Sequence, residues 1–232
     1  MYNFIYNNKS SADFPAFVVN RPNIPTASEN IKTYKVPGRN GALTVKEGTY
    51  PDITISIDLT YAADADKFAK VFRELKAWLL DTVDNKLIFS DDADFFYSVK
   101  YVTISENKRT KRYIGKFTVK FTCEPHQYAL SGNEFIDIAE ATTNPYDLCH
   151  PIYKIVGEGV CALTVNGNVF TVNVGQNALI DTDKMVTARE DGTLQNTIST
   201  GEYEGLYLMP GNNTITATDG FTVTVKPRWG QL

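Results

Sequence analysis

From Ile53 to Tyr61 the apolar residues Ile53, Ile55, Ile57, Leu59 and Tyr61 alternate strictly with Thr54, Ser56, Asp58 and Thr60. A period of two places every apolar side chain on one side of an extended backbone and every polar one on the other, the pattern of a half-buried β-strand. The segment therefore commits the chain to a sheet with one face against a core. The period then changes. Phe68, Phe72, Leu75 and Leu79, flanked by Val71 and Trp78, recur at helical spacing, while Lys67, Lys70, Arg73 and Lys76 cover the opposite face. This spacing predicts an amphipathic helix capped by Asp64, ending near Asp81 and lying on the sheet. Further strands are expected at residues 86–90, 96–105 and 112–123, with residues 106–111 as the polar tip of a long hairpin. Tyr113, Phe117, Val119 and Phe121 share one face of the last of these. Ahead of the helix, Pro15, Pro22 and Pro25 punctuate an irregular stretch, and residues 36–41 read as a glycine-bounded loop.

Past residue 130 the pattern is β throughout. Residues 162–165 and 169–172 flank Asn166-Gly167-Asn168, and residues 214–218 and 221–225 flank Asp219-Gly220. Asn-Gly and Asp-Gly accept the positive φ angles of tight hairpin turns, so both read as hairpins. Asp191-Gly192 and Pro210-Gly211-Asn212 complete a series of short strands at roughly the 8–12-residue spacing of a β-sandwich. Charge changes at the same point: residues 1–130 hold 18 Lys and Arg against 15 Asp and Glu, net +3, whereas residues 131–232 hold 5 against 12, net −7. Two domains are expected, 1–130 and 131–232, within the usual range of roughly 50–250 residues.

Several classes of function find no support in these residues. No stretch approaches the roughly 18–20 consecutive apolar residues of a membrane span, and Met1-Tyr2-Asn3-Phe4-Ile5 lacks the basic start and apolar run of a signal peptide. Membrane insertion and classical export are not expected, and production in a reducing cytoplasm is. A net charge of −4 argues against a general nucleic-acid binder. Cys123, His126, Cys149, His150 and Cys161 are the residue types that hold zinc. However, adjacent Cys149-His150 suits one tetrahedron poorly, and no second short-spaced pair follows. None of the cysteines sits in a nucleophile elbow, and Asp91, Asp92 and Asp94, like Asp181 and Asp183, read as turn residues rather than facing catalytic carboxyls. The expectation is a protein that is not an enzyme and has no metal and no cofactor. Lys108-Arg109-Thr110-Lys111-Arg112 is the basic run, placed by this reading at a hairpin tip where phosphate or an acidic partner can reach it.

The order of these elements resembles the distal tail protein (Dit) family of siphophages and prophages. The features that carry the resemblance in the first half are Val36-Pro37-Gly38-Arg39-Asn40-Gly41, the alternating strand, the helix and the closing Phe121-Thr122-Cys123-Glu124-Pro125-His126-Gln127-Tyr128. In the second half they are Asn144-Pro145, Pro151-Ile152-Tyr153-Lys154-Ile155, Leu163-Thr164-Val165-Asn166-Gly167, residues 178–183, residues 208–215 and Lys226-Pro227-Arg228-Trp229. The resemblance implies a mainly β chain: a β-barrel-like or split-barrel N-terminal domain with one α-helix, then a galectin-like β-sandwich. It also implies a homohexameric ring at the tail tip that joins the major tail or tube protein to a tail-associated tip protein and anchors receptor-binding proteins. A central channel passes DNA in transit, and assembly takes place in the host bacterial cytoplasm. Under this reading Pro37, Gly38, Arg39, Asn40 and Gly41, with Lys108, Arg109, Lys111 and Arg112, are candidate assembly contacts. The galectin sugar constellation of His, Asn, Arg and Trp does not carry over, because residues 151–232 contain no histidine and a single tryptophan, Trp229. A carbohydrate-binding adhesin module is the alternative reading; it predicts glycan binding that depends on Trp229.

Overall fold

The alternation at residues 53–61 is realised as a ten-residue strand whose odd-numbered residues are buried, in a computed structural model that describes residues 2–232. Two units emerge, residues up to 127 with Leu232, and residues 128–231. The first contains β1 (Phe4–Tyr6), β2 (Lys9–Ser10), β3 (Ala16–Val18), β4 (Ile31–Lys35), β5 (Ala42–Lys46), β6 (Ile53–Ala62), α1 (Phe68–Leu80), β7 (Lys86–Phe89), β8 (Asp92–Ile104), β9 (Lys108–Lys111) and most of β10 (Ile114–Ala129). Its main sheet runs β2-β1-β7-β8-β10-β6-β3 and curls into a half-barrel, with β9 paired to β10. Antiparallel register sets Phe117 opposite Leu59, Val119 opposite Ile57 and Phe121 opposite Ile55, so β6 and β10 present one apolar face. Helix α1 lays Phe68, Leu75, Trp78 and Leu79 on that face. Each large side chain removed from water there contributes roughly 1.5–3 kcal/mol. Trp78 also donates its indole N–H to the Tyr6 carbonyl at 2.8 Å, and Phe4 and Phe14 stack on its ring.

Three expectations for this unit need correction. The helix starts at Phe68, with Lys67 at the cap position: residues 64–67 close a separate turn through Lys67 N–H to the Asp64 carbonyl at 3.0 Å. The Asp64 carboxylate faces the Lys67 ammonium at 3.6 Å instead of capping the helix. Residues 106–111 are not a hairpin tip; β9 runs back along β10, and the reversal lies at Arg112 and Tyr113. Tyr113 therefore sits in the turn, 55% exposed, rather than on the face of Phe117 and Phe121. The stretch before the helix is also not wholly irregular, since β4 and β5 pair with each other from Ile31–Lys46 to Lys35–Ala42 and, among the described residues, with no other strand.

The second unit contains β11 (Ile136–Asp137), β12 (Thr143–Asn144), β13 (Ile152–Val165), β14 (Asn168–Asp181), β15 (Val186–Ala188), β16 (Ser199–Thr200), β17 (Gly211–Asn212), β18 (Ile215–Ala217), β19 (Thr222–Lys226) and β20 (Gly230–Gln231). Its spine is the β13–β14 hairpin, in register over its whole length and closed by Asn166 at φ 50° and Gly167 at φ 86°. These are the left-handed conformations that the Asn-Gly pair tolerates. One end of the spine pairs with β19 and β15, the other with β18 and β16. Both ends feed one core: Tyr153, Ile155 and Ile180 from the first, Cys161, Leu163, Val165, Phe170 and Val172 from the second.

Asp219-Gly220 is not a hairpin turn. Strands β18 and β19 lie one after the other along the same edge of β13, so residues 218–221 bridge a gap in one broken strand. Opposite them β13 spends the longer segment 157–162, and the excess forms a bulge. Turn chemistry at Asp219-Gly220 permits a reversal but does not impose one. Gly157 is needed in this bulge because a Cβ there stands 2.4 Å from the Phe221 ring. Gly157→Ala is expected to cost about 1–3 kcal/mol through this overlap, read as a lower urea midpoint at unchanged slope.

Candidate assembly surfaces

The β4–β5 hairpin is exposed at all ten of its strand residues. Register divides it into two faces. Tyr34 lies opposite Leu43 and Lys32 opposite Val45, so Lys32, Tyr34, Leu43 and Val45 share one side, and Ile31, Thr33, Lys35, Ala42, Thr44 and Lys46 the other. Tyr34, Leu43 and Val45 are 40–50% exposed. A two-stranded hairpin is marginal in water by itself. Its base is tied by Asn30 N–H to the Thr49 carbonyl at 2.8 Å, Glu47 N–H to the Asn30 carbonyl at 3.0 Å, and the ion pairs Lys46–Glu29 and Lys32–Glu47. Residues 37–41 form the tip, where Gly38 and Gly41 both take φ 79° and Arg39 N–H closes a turn on the Val36 carbonyl. What the sequence marked as a loop is thus the end of an arm.

Lys108, Arg109 and Lys111 lie on β9 and Arg112 in the turn that follows, all exposed. Arg109 places its guanidinium 4.2 Å from the centre of the Phe68 ring at the start of α1 and donates to the Arg112 carbonyl. Asn107 donates to the Tyr61 hydroxyl at 2.6 Å, and Gly115 admits the Tyr61 ring closer than any side chain would allow. The strand is thereby held against the body of the unit. At its foot a cleft of about 340 Å³ is lined by Asp58, Glu106, Lys108 and Lys116 among others. Among the described residues β4 and β5 pair only with each other, and β9 pairs with β10.

In the second unit, four segments meet around Asp181. Arg228, at φ 54°, binds the Asp181 carboxylate with both terminal nitrogens at 2.9 and 3.1 Å, and Asp181 caps the backbone N–H groups of Asp183 and Lys184. His150 stacks on Tyr207 at 4.3 Å, and its Nδ1 lies 3.3 Å from Asp183. The hydrogen bond from His150 holds the Asp183 carboxyl below its ordinary value. A carboxyl whose folded pKa is depressed stabilises the fold above its unfolded pKa and loses that contribution as pH falls through the folded one. The stability difference between the wild type and Asp183→Asn is therefore expected to be flat near neutrality and to shrink below about pH 4, measured by urea unfolding across pH. This group is not legible in the sequence because its members are far apart in the chain and His150 lies one residue before the segment 151–232 that bears the galectin comparison.

The three cysteines are free thiols buried in the cores, Cys123 in the first unit and Cys149 and Cys161 in the second. Burial pushes the Cys123 thiol up to about 12 and raises the other two, leaving neutral thiols that are poor nucleophiles and poor ligands. Among the described residues no group of three or more His, Cys, Asp or Glu side chains is placed to hold a metal ion. No helix among them is long and apolar enough to cross a membrane.

Comparison with known proteins relates the chain to phage tail proteins. Residues 13–123 match the model of the phage tail protein RIFT-related domain. The crystal structure of Dit (gp 19.1) of SPP1, described as a paradigm of the hub adsorption apparatus in phages that infect Gram-positive bacteria, superposes with a TM-score of 0.67. The match covers 97% of this chain and 98% of that one at 16% sequence identity. No curated protein sequence matches the chain.

Proposed function

We propose that this chain, whose residues 13–123 match the phage tail protein RIFT-related domain and whose fold is like that of the SPP1 distal tail protein, is a phage tail protein that forms the hub of a siphophage tail tip. In this reading six copies close a ring through a heterologous interface repeated around the axis. The ring joins the tail tube to a tail-associated tip protein, leaves a channel for DNA, and offers its outer units to receptor-binding proteins. The observation that carries the reading is the arm. A hairpin with Tyr34, Leu43 and Val45 on one exposed face is poorly justified in an isolated protomer and well justified as a clasp on a neighbour. The tip, Pro37, Gly38, Arg39, Asn40 and Gly41, then reaches the adjoining protomer or ring. The division of charge agrees in sense: a ring-building half at net +3 and an outer half at net −7. The work of such a protein is assembly and positioning, without catalysis.

Negative-stain microscopy of the purified chain tests this. Six-fold ring projections are the expected result; fields of single-protomer particles, together with tails that lack the protein at their tip, would overturn it.

A further inference from the structure

Two cations stand over neighbouring rings of one aromatic cluster. Arg109 of β9 covers Phe68 at 4.2 Å and Lys76 of α1 covers Phe72 at 5.3 Å, and both rings pack on Tyr61. The basic strand and the basic helix, 28 residues apart in sequence, therefore border the same surface. The helix contributes Lys70 and Arg73 on its exposed side with Lys67 at its cap, and the strand contributes Lys108 and Lys111 with Arg112 in the turn that follows. Three of these cations are engaged by carboxylates of this surface: Lys67 by Asp64 at 3.6 Å, Lys70 by Glu74 at 3.9 Å and Lys108 by Glu106 at 3.3 Å. Among the described residues Arg73, Lys111 and Arg112 have no such ion pair, and neither does Lys116 in the cleft at the foot of the strand.

We infer that the α1–β9 surface is a docking site for a carboxylate-rich segment of a partner protein in the tail tip, with Arg73, Arg109, Lys111 and Arg112 as its principal contacts. The inference rests on the tail-hub reading for the partner's location and on the geometry above for its chemistry. Arg109 is the ordered member: stacked on Phe68 and tied to the Arg112 carbonyl, it has already lost the side-chain freedom that a solvated arginine gives up on binding. A protein partner fits better than a nucleic acid. The surface intersperses Asp64, Asp66, Glu74 and Glu106 among its cations, so a continuous phosphate track meets repulsion along its length, whereas carboxylates on a folded partner can be spaced to meet the unengaged cations. The unit's net charge of only +3 is also far from that of a domain built for a polyanion.

The test uses the full-length chain with two fluorescent probes at low and physiological salt, a poly-L-glutamate peptide and a 20-base-pair DNA duplex. Binding of poly-L-glutamate that weakens about tenfold or more in Arg73→Glu/Arg112→Glu, and weakens with added salt, is the expected result. The same substitutions at Arg189, an arginine of the other unit, should leave it unchanged. Preferential binding of the duplex through the same arginines would overturn the assignment in favour of nucleic acid, and absence of peptide binding at low salt would overturn it outright. Light scattering on the same samples reports ring formation separately, so absence of peptide binding by intact wild-type rings contradicts the docking site alone.

Discussion

Replacing Phe121 by Ala is expected to destabilise the N-terminal unit by about 3–5 kcal/mol, the usual cost of deleting a buried aromatic ring. Phe121 is fully buried, pairs with Ile55 across β6 and β10, and meets Phe4 and Tyr6 edge-on at 5.9 and 5.0 Å. These rings link the first strand of the chain to the centre of the sheet. The cavity left by Ala opens beside Phe4 and Tyr6, and Phe4 in turn stacks on Trp78. Because stability of a domain is typically about 5–15 kcal/mol, the variant should melt far earlier in scanning calorimetry, and its N-terminal transition should separate from that of residues 128–231. A loss under 1 kcal/mol would mean that the packing between these strands is not what holds the unit together.

Leu43→Asp combined with Val45→Asp should behave in the opposite way: little change in protomer stability and complete loss of the ring. Both side chains are already 40–44% exposed, and substitutions at such positions usually move stability by no more than about 0.5 kcal/mol. In an assembled ring the same positions would be covered. Each apolar side chain would then give up its remaining contact with water, worth roughly 1 kcal/mol apiece, and each new carboxylate would be buried without a partner at a cost of several more. Circular dichroism should show the wild-type melting curve while light scattering shows protomers. Rings of wild-type mass in this variant would remove the arm from the ring interface.

The parts of the fold that could be read from residues alone are those where burial contrast is strong. Ile53 to Tyr61 announces its strand because one face is fully buried and the other faces water, and the same contrast along Phe68, Leu75 and Leu79 announces the helix. Asn166-Gly167 announces its hairpin because two consecutive positive φ angles leave few alternatives. Where contrast is missing the signal fails. The arm strands are exposed on both faces, so Tyr34, Leu43 and Val45 alternate with nothing to distinguish inside from outside in a single protomer. Strand β9 consists of Lys108, Arg109, Thr110 and Lys111, side chains that read as a solvated tip, although backbone pairing with β10 and the Phe68 ring hold them in a strand. Asp219-Gly220 was misleading for a different reason: its conformation, with Gly220 at φ 90°, is as useful for carrying a broken strand past a bulge as for reversing it. Of the candidate assembly residues, the sequence picks out the arm tip and the basic run, but only the fold brings that run beside the cations of α1 and gathers His150, Asp181, Asp183, Tyr207 and Arg228 in the second unit.

The mass of the purified chain in solution tests the central claim most directly. Multi-angle light scattering over a wide concentration range should find a species of about 155 kDa, six times the 25.9 kDa protomer, as expected for a closed cyclic assembly. A species of 25.9 kDa at every concentration, unchanged by the presence of the tube or tip protein, would contradict it.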